Sequence, residues 1–200
     1  MKCLIIAANL ESGIRDLVCP DDYSFIICAD SSFINAIKEN IHINLIIGDF
    51  DHGTRCKSAL PKDVEIIRLP SVKDDTDTQY SIKEAISRNY MDIDIIGGTG
   101  GRIDHTIANI QSLAYACKRN ANAKLIDKNN EIIVTDKDIS IKKGKKYFSV
   151  FSLTDNSVVN IKGAFYSGEN IKLTNTFPLG VSNEITGEKA SIEIISGTIV

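Results

Sequence analysis

The sequence predicts an α/β protein with an N-terminal parallel-sheet domain, residues 1–124, followed by a small all-β sandwich domain, residues 125–200. Two patterns support this. The first part alternates short apolar runs with amphipathic segments, and the second part consists of short alternating segments separated by turns. Of the 200 residues, 43% are hydrophobic, which is enough to form a sizeable core.

The strands of the first domain are expected where short, β-branched runs are bounded by Gly, Pro or Asp. Such runs are typical of parallel strands that are buried on both faces. They are Leu4–Ala8, Phe25–Ala29, Leu45–Ile47, Glu65–Leu69 and Ile93–Ile96.

Two helices are expected between and after these strands. The first, Asp77–Tyr90, follows a capping box in which Thr76 and Gln79 can satisfy each other's backbone amides. The second is His105–Arg119. Its inward face is predicted to carry Ile107, Ile110, Leu113, Ala114 and Cys117.

The second domain shows no helical period of useful length. Its expected strands are Glu131–Thr135, Ile139–Ile141, Tyr147–Leu153, Ser157–Ile161 and Ala190–Ile195. Turn-forming residues separate them, which favours a small sandwich or barrel.

Composition excludes several classes of partner. The net charge is −3 and there is no basic tract, so a nucleic-acid partner is not expected. No apolar stretch approaches the roughly 18 residues that cross a bilayer, so no membrane partner is expected. Five scattered cysteines without a C-x-x-C pair are typical of reduced thiols in a cytoplasmic protein.

Two acidic clusters are candidates for cation binding. Asp49 and Asp51 follow the third strand, where an isolated D-x-D is more often a solvated turn than a metal site. Asp74, Asp75 and Asp77 stand at a helix start, where the helix dipole accounts for one or two carboxylates. A third carboxylate is disfavoured, because each pair of like charges about 6 Å apart repels by about 3 kcal/mol. A bound cation would remove this repulsion. Oxygen ligands of this kind favour Mg²⁺.

A glycine-rich segment between the fifth strand and the second helix is a candidate phosphate site. Gly97, Gly98, Gly100 and Gly101 let backbone amides approach a ligand, and Arg102 can bind two phosphate oxygens. The spacing fits neither a Walker loop nor the dinucleotide fingerprint. Asp104 is equally a helix N-cap or a ligand residue, and a lone histidine such as His105 is more often structural.

Five segments in this order resemble the thiamine pyrophosphokinase family over nearly the whole chain. They are Ala29-Asp30, Leu45–Asp51, Lys73–Asp77, Gly100–Asn109 and Gly180–Glu184. The resemblance implies an α/β catalytic domain, a β-sandwich domain, and a homodimer with active sites at the subunit interface. It also implies pyrophosphoryl transfer from ATP to thiamine, with Mg²⁺ as cofactor.

The resemblance also implies roles for individual residues. Asp49, Asp51 and Asp77 match the magnesium carboxylates. Asp74 lies close by and is the candidate acceptor of the thiamine hydroxyl proton. The nucleotide-binding positions are Asp30, Gly100, Gly101, Arg102, Asp104 and His105, and the thiamine-binding positions are Ser182 and Asn183.

The chain departs from the family pattern after Asp30, where Ser31-Ser32 replace the usual two glycines. Serine does not adopt positive φ as readily as glycine. Two alternatives stay open. One is a pyrophosphokinase for another hydroxymethyl heterocycle, such as a pterin; the other is a non-catalytic sensor of nucleotide or thiamine diphosphate.

Overall fold

The computed structural model describes residues 1–50, 60–72 and 74–200, which divide into two compact units, 1–133 and 134–200. The division lies nine residues after the boundary expected at 124/125. The reason is pairing: Asn122–Ile126 joins the first sheet as a parallel strand, and Glu131–Ile133 folds back on it as an antiparallel strand. The segment Glu131–Thr135, assigned to the second domain from sequence, therefore begins in the first.

The first unit is built on a seven-stranded sheet with the strand order β4-β3-β2-β1-β5-β6-β7. Strands β1 to β6 are parallel, and β7 is the antiparallel edge. The strands are β1 Lys2–Ile6, β2 Phe25–Ala29, β3 Leu45–Gly48, β4 Glu65–Arg68, β5 Asp92–Ile96, β6 Asn122–Ile126 and β7 Glu131–Ile133.

The parallel sheet confirms the interpretation of the short apolar runs. β3 is buried at every position, and β1, β2 and β5 are buried at all but the first. β1 begins and ends two residues earlier than predicted, and the other four strands agree with the prediction to within one residue.

Helices connect the strands of this sheet. They are α1 Ile14–Leu17, α2 Phe33–Lys38, α3 Asp77–Ser87 and α4 Ile103–Cys117, with 3₁₀ turns at Pro20–Asp22 and Asp30–Ser32. Thr76 caps α3 as expected, because its hydroxyl accepts a hydrogen bond from the amide of Gln79 at 3.1 Å. The helix ends before the predicted Tyr90, and Asn89 adopts a left-handed conformation with φ 64°.

The buried face of α4 differs from the predicted one. It carries Asn109, Ser112, Leu113, Ala116 and Cys117. Ile107, predicted to face inward, is 53% exposed, and Ile103 is 71% exposed. Polar residues can occupy this buried face because the Asn109 amide group donates to the carbonyl of Gly98 and the Ser112 hydroxyl to that of Ala108.

The second unit, which the structure describes throughout, contains only strands, as the sequence predicts, and they pair antiparallel. Its strands are β8 Ile139–Lys142, β9 Phe148–Val150, β10 Asn156–Lys162, β11 Gly168–Thr174, β12 Gly180–Asn183 and β13 Lys189–Ser196. Four form a sheet in the order β11-β10-β13-β8, and β12 pairs with β9. Alternate residues of these strands, including Val159, Ile161, Leu173 and Ile192, form the core of the unit.

Within the described residues, no helix has both the length and the apolar character needed to span a membrane.

Candidate functional site

The strand order creates a ligand-binding edge in the first unit. Along the chain, strands β2, β3 and β4 are added one after another on one side of β1, whereas β5, β6 and β7 are added on its other side. The strand order therefore reverses between β1 and β5. In open α/β sheets, ligands bind at the carboxyl edge near such a reversal. The loops after β3, β2, β1 and β5 lie side by side on this edge, over about 14 Å at about 4.8 Å per strand. The edge can therefore hold different parts of one extended ligand.

Asp30 and Asp49 end neighbouring strands of this edge. A Cβ atom on Gly48 would lie 2.9 Å from the Cα atom of Asp30, so the two backbones approach more closely than any residue with a side chain would allow. Asp49 follows directly, and Asp30 is buried with φ 51°. The left-handed backbone at a buried aspartate costs about 1–2 kcal/mol, and such strain is typical of functional loops.

The structure also explains how Ser31-Ser32 replace two glycines. Positive φ falls on Asp30, whereas Ser32 is right-handed helical with φ −60°. The buried Ser32 hydroxyl donates to the carbonyl of Ile6 at the end of β1, at 2.7 Å. The serines therefore fit this loop without strain, and one of them ties β1 to the turn after β2.

Phe50 anchors the loop after β3. Its ring is fully buried in the core of the first unit, and its φ is 55°. Burial of this ring fixes the position of Asp49 next to it. Asp51, on the other side, lies outside the described residues. The guanidinium of Arg68, at the carboxyl end of β4, lies 5.2 Å from the Phe50 ring and adds a positive charge to the edge.

The second acidic cluster begins α3, which packs on β1, β2 and β3. Asp77 is the first residue of this helix and is partly buried. Because α3 follows the parallel strand β4, it begins on the carboxyl edge of the sheet, where Asp30 and Asp49 also lie. Asp74 is exposed. Asp75 forms an ion pair with Lys83 at 2.6 Å. The lysine therefore relieves part of the repulsion expected among the three carboxylates without a metal ion.

The glycine-rich segment follows β5 and contacts the loop after β1. Gly97 has φ 69°, and a Cβ atom there would lie 2.5 Å from the carbonyl oxygen of Ala7. The Asn9 side chain donates to the carbonyl of Thr99 at 2.6 Å, and its backbone amide donates to the carbonyl of Gly97 at 3.1 Å. Asn109 donates to the carbonyl of Gly98 at 2.7 Å.

The carbonyl groups of residues 97, 98 and 99 therefore all bind donors of the protein. By contrast, no backbone N–H of residues 98–101 donates a hydrogen bond to any part of the chain that the structure describes. Backbone N–H groups left open in this way, next to the start of α4, can bind the oxygens of a phosphate.

Arg102, Asp104 and His105 lie at the exposed start of α4. Arg102 occupies the N-cap position and Asp104 the first turn, so the N-cap interpretation of Asp104 is wrong. The guanidinium of Arg102 binds both carboxylate oxygens of Asp104, and this contact lowers the pKa of Asp104. Arg102 is thus held at the edge as a cation, although a phosphate would compete with Asp104 for it.

Ser182 and Asn183 belong to the second unit. Ser182 is exposed with φ 59°. The buried Asn183 side chain accepts from the amides of Tyr166 and Glu184 and donates to the carbonyl of Tyr166. Three of its four hydrogen-bonding positions are used in this way, so Asn183 holds the turn that presents Tyr166. The rings of Phe165 and Tyr166 form an exposed edge-to-face pair, 5.0 Å between centroids.

Four residues of the edge were not identified from sequence: Asn9, Arg68, Thr99 and Asp127. Asn9 and Asp127 follow β1 and β6, and Arg68 ends β4. A search for polar residues directly after each predicted strand could have found only Asn9, because Arg68 lies inside the predicted strand Glu65–Leu69 and no strand was predicted before Asp127. None of them belongs to a motif that the resemblance singled out.

The donor chemistry of the edge fits a hard divalent cation, because Asp30, Asp49 and Asp77 supply carboxylate oxygens from adjacent elements. The described residues alone contain no group of three potential ligands close enough to hold a metal ion. This fold is a mostly parallel α/β sheet domain, with acidic and glycine-rich loops at the carboxyl edge of its sheet, followed in the chain by an all-β domain.

Comparisons with known proteins give the family. The model described as "Thiamin pyrophosphokinase, catalytic domain" matches residues 19–126, and "Thiamin pyrophosphokinase, vitamin B1 binding domain" matches residues 131–199. The chain belongs to the thiamin pyrophosphokinase family.

Relatives of known name agree with this assignment. The chain is 28% identical to the thiamine pyrophosphokinase of Bacillus subtilis over 206 residues, covering 98% of this chain and 95% of the relative. It is similar to the crystal structure of that species' enzyme, with a TM-score of 0.83 and 26% identity over 100% and 96% of the two chains. A thiamin pyrophosphokinase family protein from Enterococcus faecalis gives a TM-score of 0.84 with the same identity and coverage.

Proposed function

We propose that the protein transfers the terminal pyrophosphoryl group of ATP to the hydroxyl of thiamine, forming thiamine diphosphate and AMP. The observation that carries the proposal is the shared edge of the first sheet. Carboxylates follow β2 and β3, and open N–H groups follow β5, on the same side of one sheet. An ATP–cation complex needs both kinds of group.

Magnesium is the cofactor that fits this edge. Asp49, Asp51 and Asp77 would hold it, with Asp51 assigned from the sequence motif and Asp30 adjacent. When bound, Mg²⁺ neutralises the negative charge that builds up on phosphate oxygens during transfer. Zinc is disfavoured because the proposed ligands are all oxygens.

The chain's own groups position the nucleotide. The N–H groups of residues 98–101 bind phosphate oxygens, and the side chain of Arg102 exchanges Asp104 for phosphate. Asp74 is exposed beside this edge and is the candidate to accept the proton of the thiamine hydroxyl. The hydroxyl then attacks the β-phosphorus in line, and AMP leaves.

Thiamine recognition is assigned to the second unit. Ser182 presents its hydroxyl at a left-handed position of β12, where the pairing with β9 is irregular, and Asn183 fixes the turn at Tyr166. The sequence contains no tryptophan, so a ring stacked on thiamine has to be a Phe or Tyr. Among the exposed rings of the second unit, Phe165 and Tyr166 are the candidates because Asn183 holds the backbone of Tyr166.

We also propose that the protein works as a homodimer in the cytoplasm. The exposed apolar residues Ile103 and Ile107 of α4 support an interface, since large exposed apolar groups that lie side by side on a helix are often covered by a partner. Cys3, Cys19 and Cys28 are free thiols, which agrees with a reducing compartment.

Substitution of Asp77 tests the proposed chemistry. Asp77→Asn removes the charge but keeps the size and the helix start, so we expect turnover to fall by at least about 100-fold while the unfolding transition stays in place. Asp75→Asn is the matched control two residues away. It loses only a partly exposed ion pair with Lys83, worth about 1 kcal/mol or less, and should keep its activity.

Three results would count against the proposal. The first is near-normal turnover in Asp77→Asn. The second is equal loss in both variants. The third is AMP release with a hydroxymethyl pterin but none with thiamine, which would assign the enzyme to another acceptor.

A further inference from the structure

A series of linked hydrogen bonds at the carboxyl edge has no role in the mechanism above. The hydroxyl of Thr99 donates to Oδ2 of Asp127 at 2.8 Å, joining the loop after β5 to the turn between β6 and β7. On its other side, the carbonyl of Thr99 accepts the Asn9 side chain at 2.6 Å. Thr99 is therefore held from both neighbouring loops of the edge.

Asp127 is itself fixed. Its Oδ1 accepts hydrogen bonds from the backbone amides of Asn129 at 2.7 Å and Asn130 at 2.6 Å. Burial raises the pKa of Asp127, but the hydrogen bonds from Thr99 and Asn130 outweigh burial and lower it overall. The carboxylate is thus ionised and oriented by its hydrogen bonds to Asn129 and Asn130, which makes Oδ2 a strong acceptor for the Thr99 hydroxyl.

These contacts determine which way the loop faces. The carbonyls of residues 97–99 are all bound to the protein, so the peptide groups can turn their N–H sides only toward the open edge. Gly100 and Gly101 continue with φ 78° and 55°. A Cβ atom on Gly100 would collide with the Glu11 carboxylate, and one on Gly101 would lie 3.2 Å from the Asn9 side chain. A loop this rich in glycine needs such contacts, because glycine by itself leaves the backbone many conformations.

We propose that Asp127, acting through the hydroxyl of Thr99, is a positioning residue that sets the phosphate-binding conformation of the 97–101 loop. The inference rests on the proposed function, in which this loop binds the phosphates of ATP. Asp127 touches neither phosphate nor thiamine. Its effect on ATP binding comes from preorganisation of the loop N–H groups.

Equilibrium binding of ATP with magnesium, without thiamine, tests the inference apart from transfer. Thr99→Val removes the donor at almost constant volume. Asp127→Asn replaces Oδ2 by a group that can accept from neither Thr99 nor Nδ2 of Asn130, while the remaining oxygen can keep the backbone amides of Asn129 and Asn130. Each variant should bind ATP about 10-fold more weakly, the scale of one hydrogen bond to a charged group.

Three further variants separate positioning from general damage. Thr99→Ser keeps the hydroxyl and should restore wild-type affinity. The double variant should be no weaker than either single one, because both remove the same contact. Thr154→Val removes a hydroxyl bonded within the second unit and should leave ATP affinity unchanged.

Wild-type affinity in Thr99→Val, no rescue in Thr99→Ser, or additive losses in the double variant would overturn the inference. A wild-type protein that binds ATP but forms no AMP with thiamine would reject the proposed function, and the variants would still decide the role of Asp127. A wild-type protein that does not bind ATP would overturn both.

Discussion

Restoring the family's glycines at Ser31-Ser32 should destabilise this chain. Ser32 is helical with φ −60°, positive φ lies on Asp30, and the Ser32 hydroxyl donates to Ile6. Ser31→Gly/Ser32→Gly therefore relieves no strain. It costs about 0.5 kcal/mol of backbone entropy per glycine. Loss of the buried hydrogen bond costs about 1 kcal/mol more.

The expected decrease in the free energy of unfolding is thus about 2 kcal/mol, measured by urea denaturation with far-UV circular dichroism. Ser31→Ala/Ser32→Ala is the matched variant, because it loses the hydrogen bond but not the backbone entropy. It should lose about 1 kcal/mol, half as much. A glycine variant as stable as the wild type, or more stable, would refute the placement of positive φ on Asp30.

Three other predictions follow from single contacts. Gly97→Ala should cost at least about 2 kcal/mol in urea denaturation, because φ is positive and the Cβ atom would meet a carbonyl oxygen, whereas Gly144→Ala, in open space, should cost almost nothing. Asn183→Ala leaves two amides without their acceptor, so it should cost about 2–3 kcal/mol and make residues 164–167 cleavable in limited proteolysis. Burial raises the pKa of Cys3 and Cys28 from 9.0 to about 12. Burial of each neutral thiol stabilises the fold fully below pH 9, and this stabilisation is lost as the pH rises toward 12. The free energy of unfolding should therefore fall by about 1.4 kcal/mol per thiol between pH 8 and pH 10. A flat stability profile in that interval, or an unchanged profile in Cys3→Val, would contradict this.

The sequence was sufficient to predict five of the seven strands in the sheet of the first unit, because parallel strands buried on both faces leave short β-branched runs. It missed β6, Asn122–Ile126, in which Asn122 and Lys124 interrupt the apolar run. It was not sufficient to place the domain boundary. Glu131–Ile133 alternates like a strand of the second unit, and only its pairing with Asn122–Ile126 assigns it to the first. Local sequence pattern carries no information about which sheet an antiparallel edge strand joins.

The inward face of α4 was predicted in part. Leu113 and Cys117 are buried as expected, but Ile107 is exposed and Asn109 is buried. A buried asparagine is tolerated because the carbonyl of Gly98 lies within its reach. Tertiary contacts of this kind cannot be read from helical periodicity, which treats every polar residue as an outward one.

The candidate site also contains residues that the sequence reveals and residues that it does not. Asp30, Asp49 and Asp77 could be identified because acidic residues directly after strands, or at a helix start, are visible in the sequence. Thr99 and Asp127 could not, because their importance depends on a 2.8 Å contact between loops 28 positions apart. Motifs identify the groups that meet a ligand more readily than the groups that hold them in place.

Release of AMP from ATP and magnesium by the purified protein, with and without thiamine, tests the central claim most directly. The account predicts AMP release that depends on thiamine, with one thiamine diphosphate formed for each AMP. Absence of AMP from a folded protein that binds ATP, with thiamine present, would contradict it.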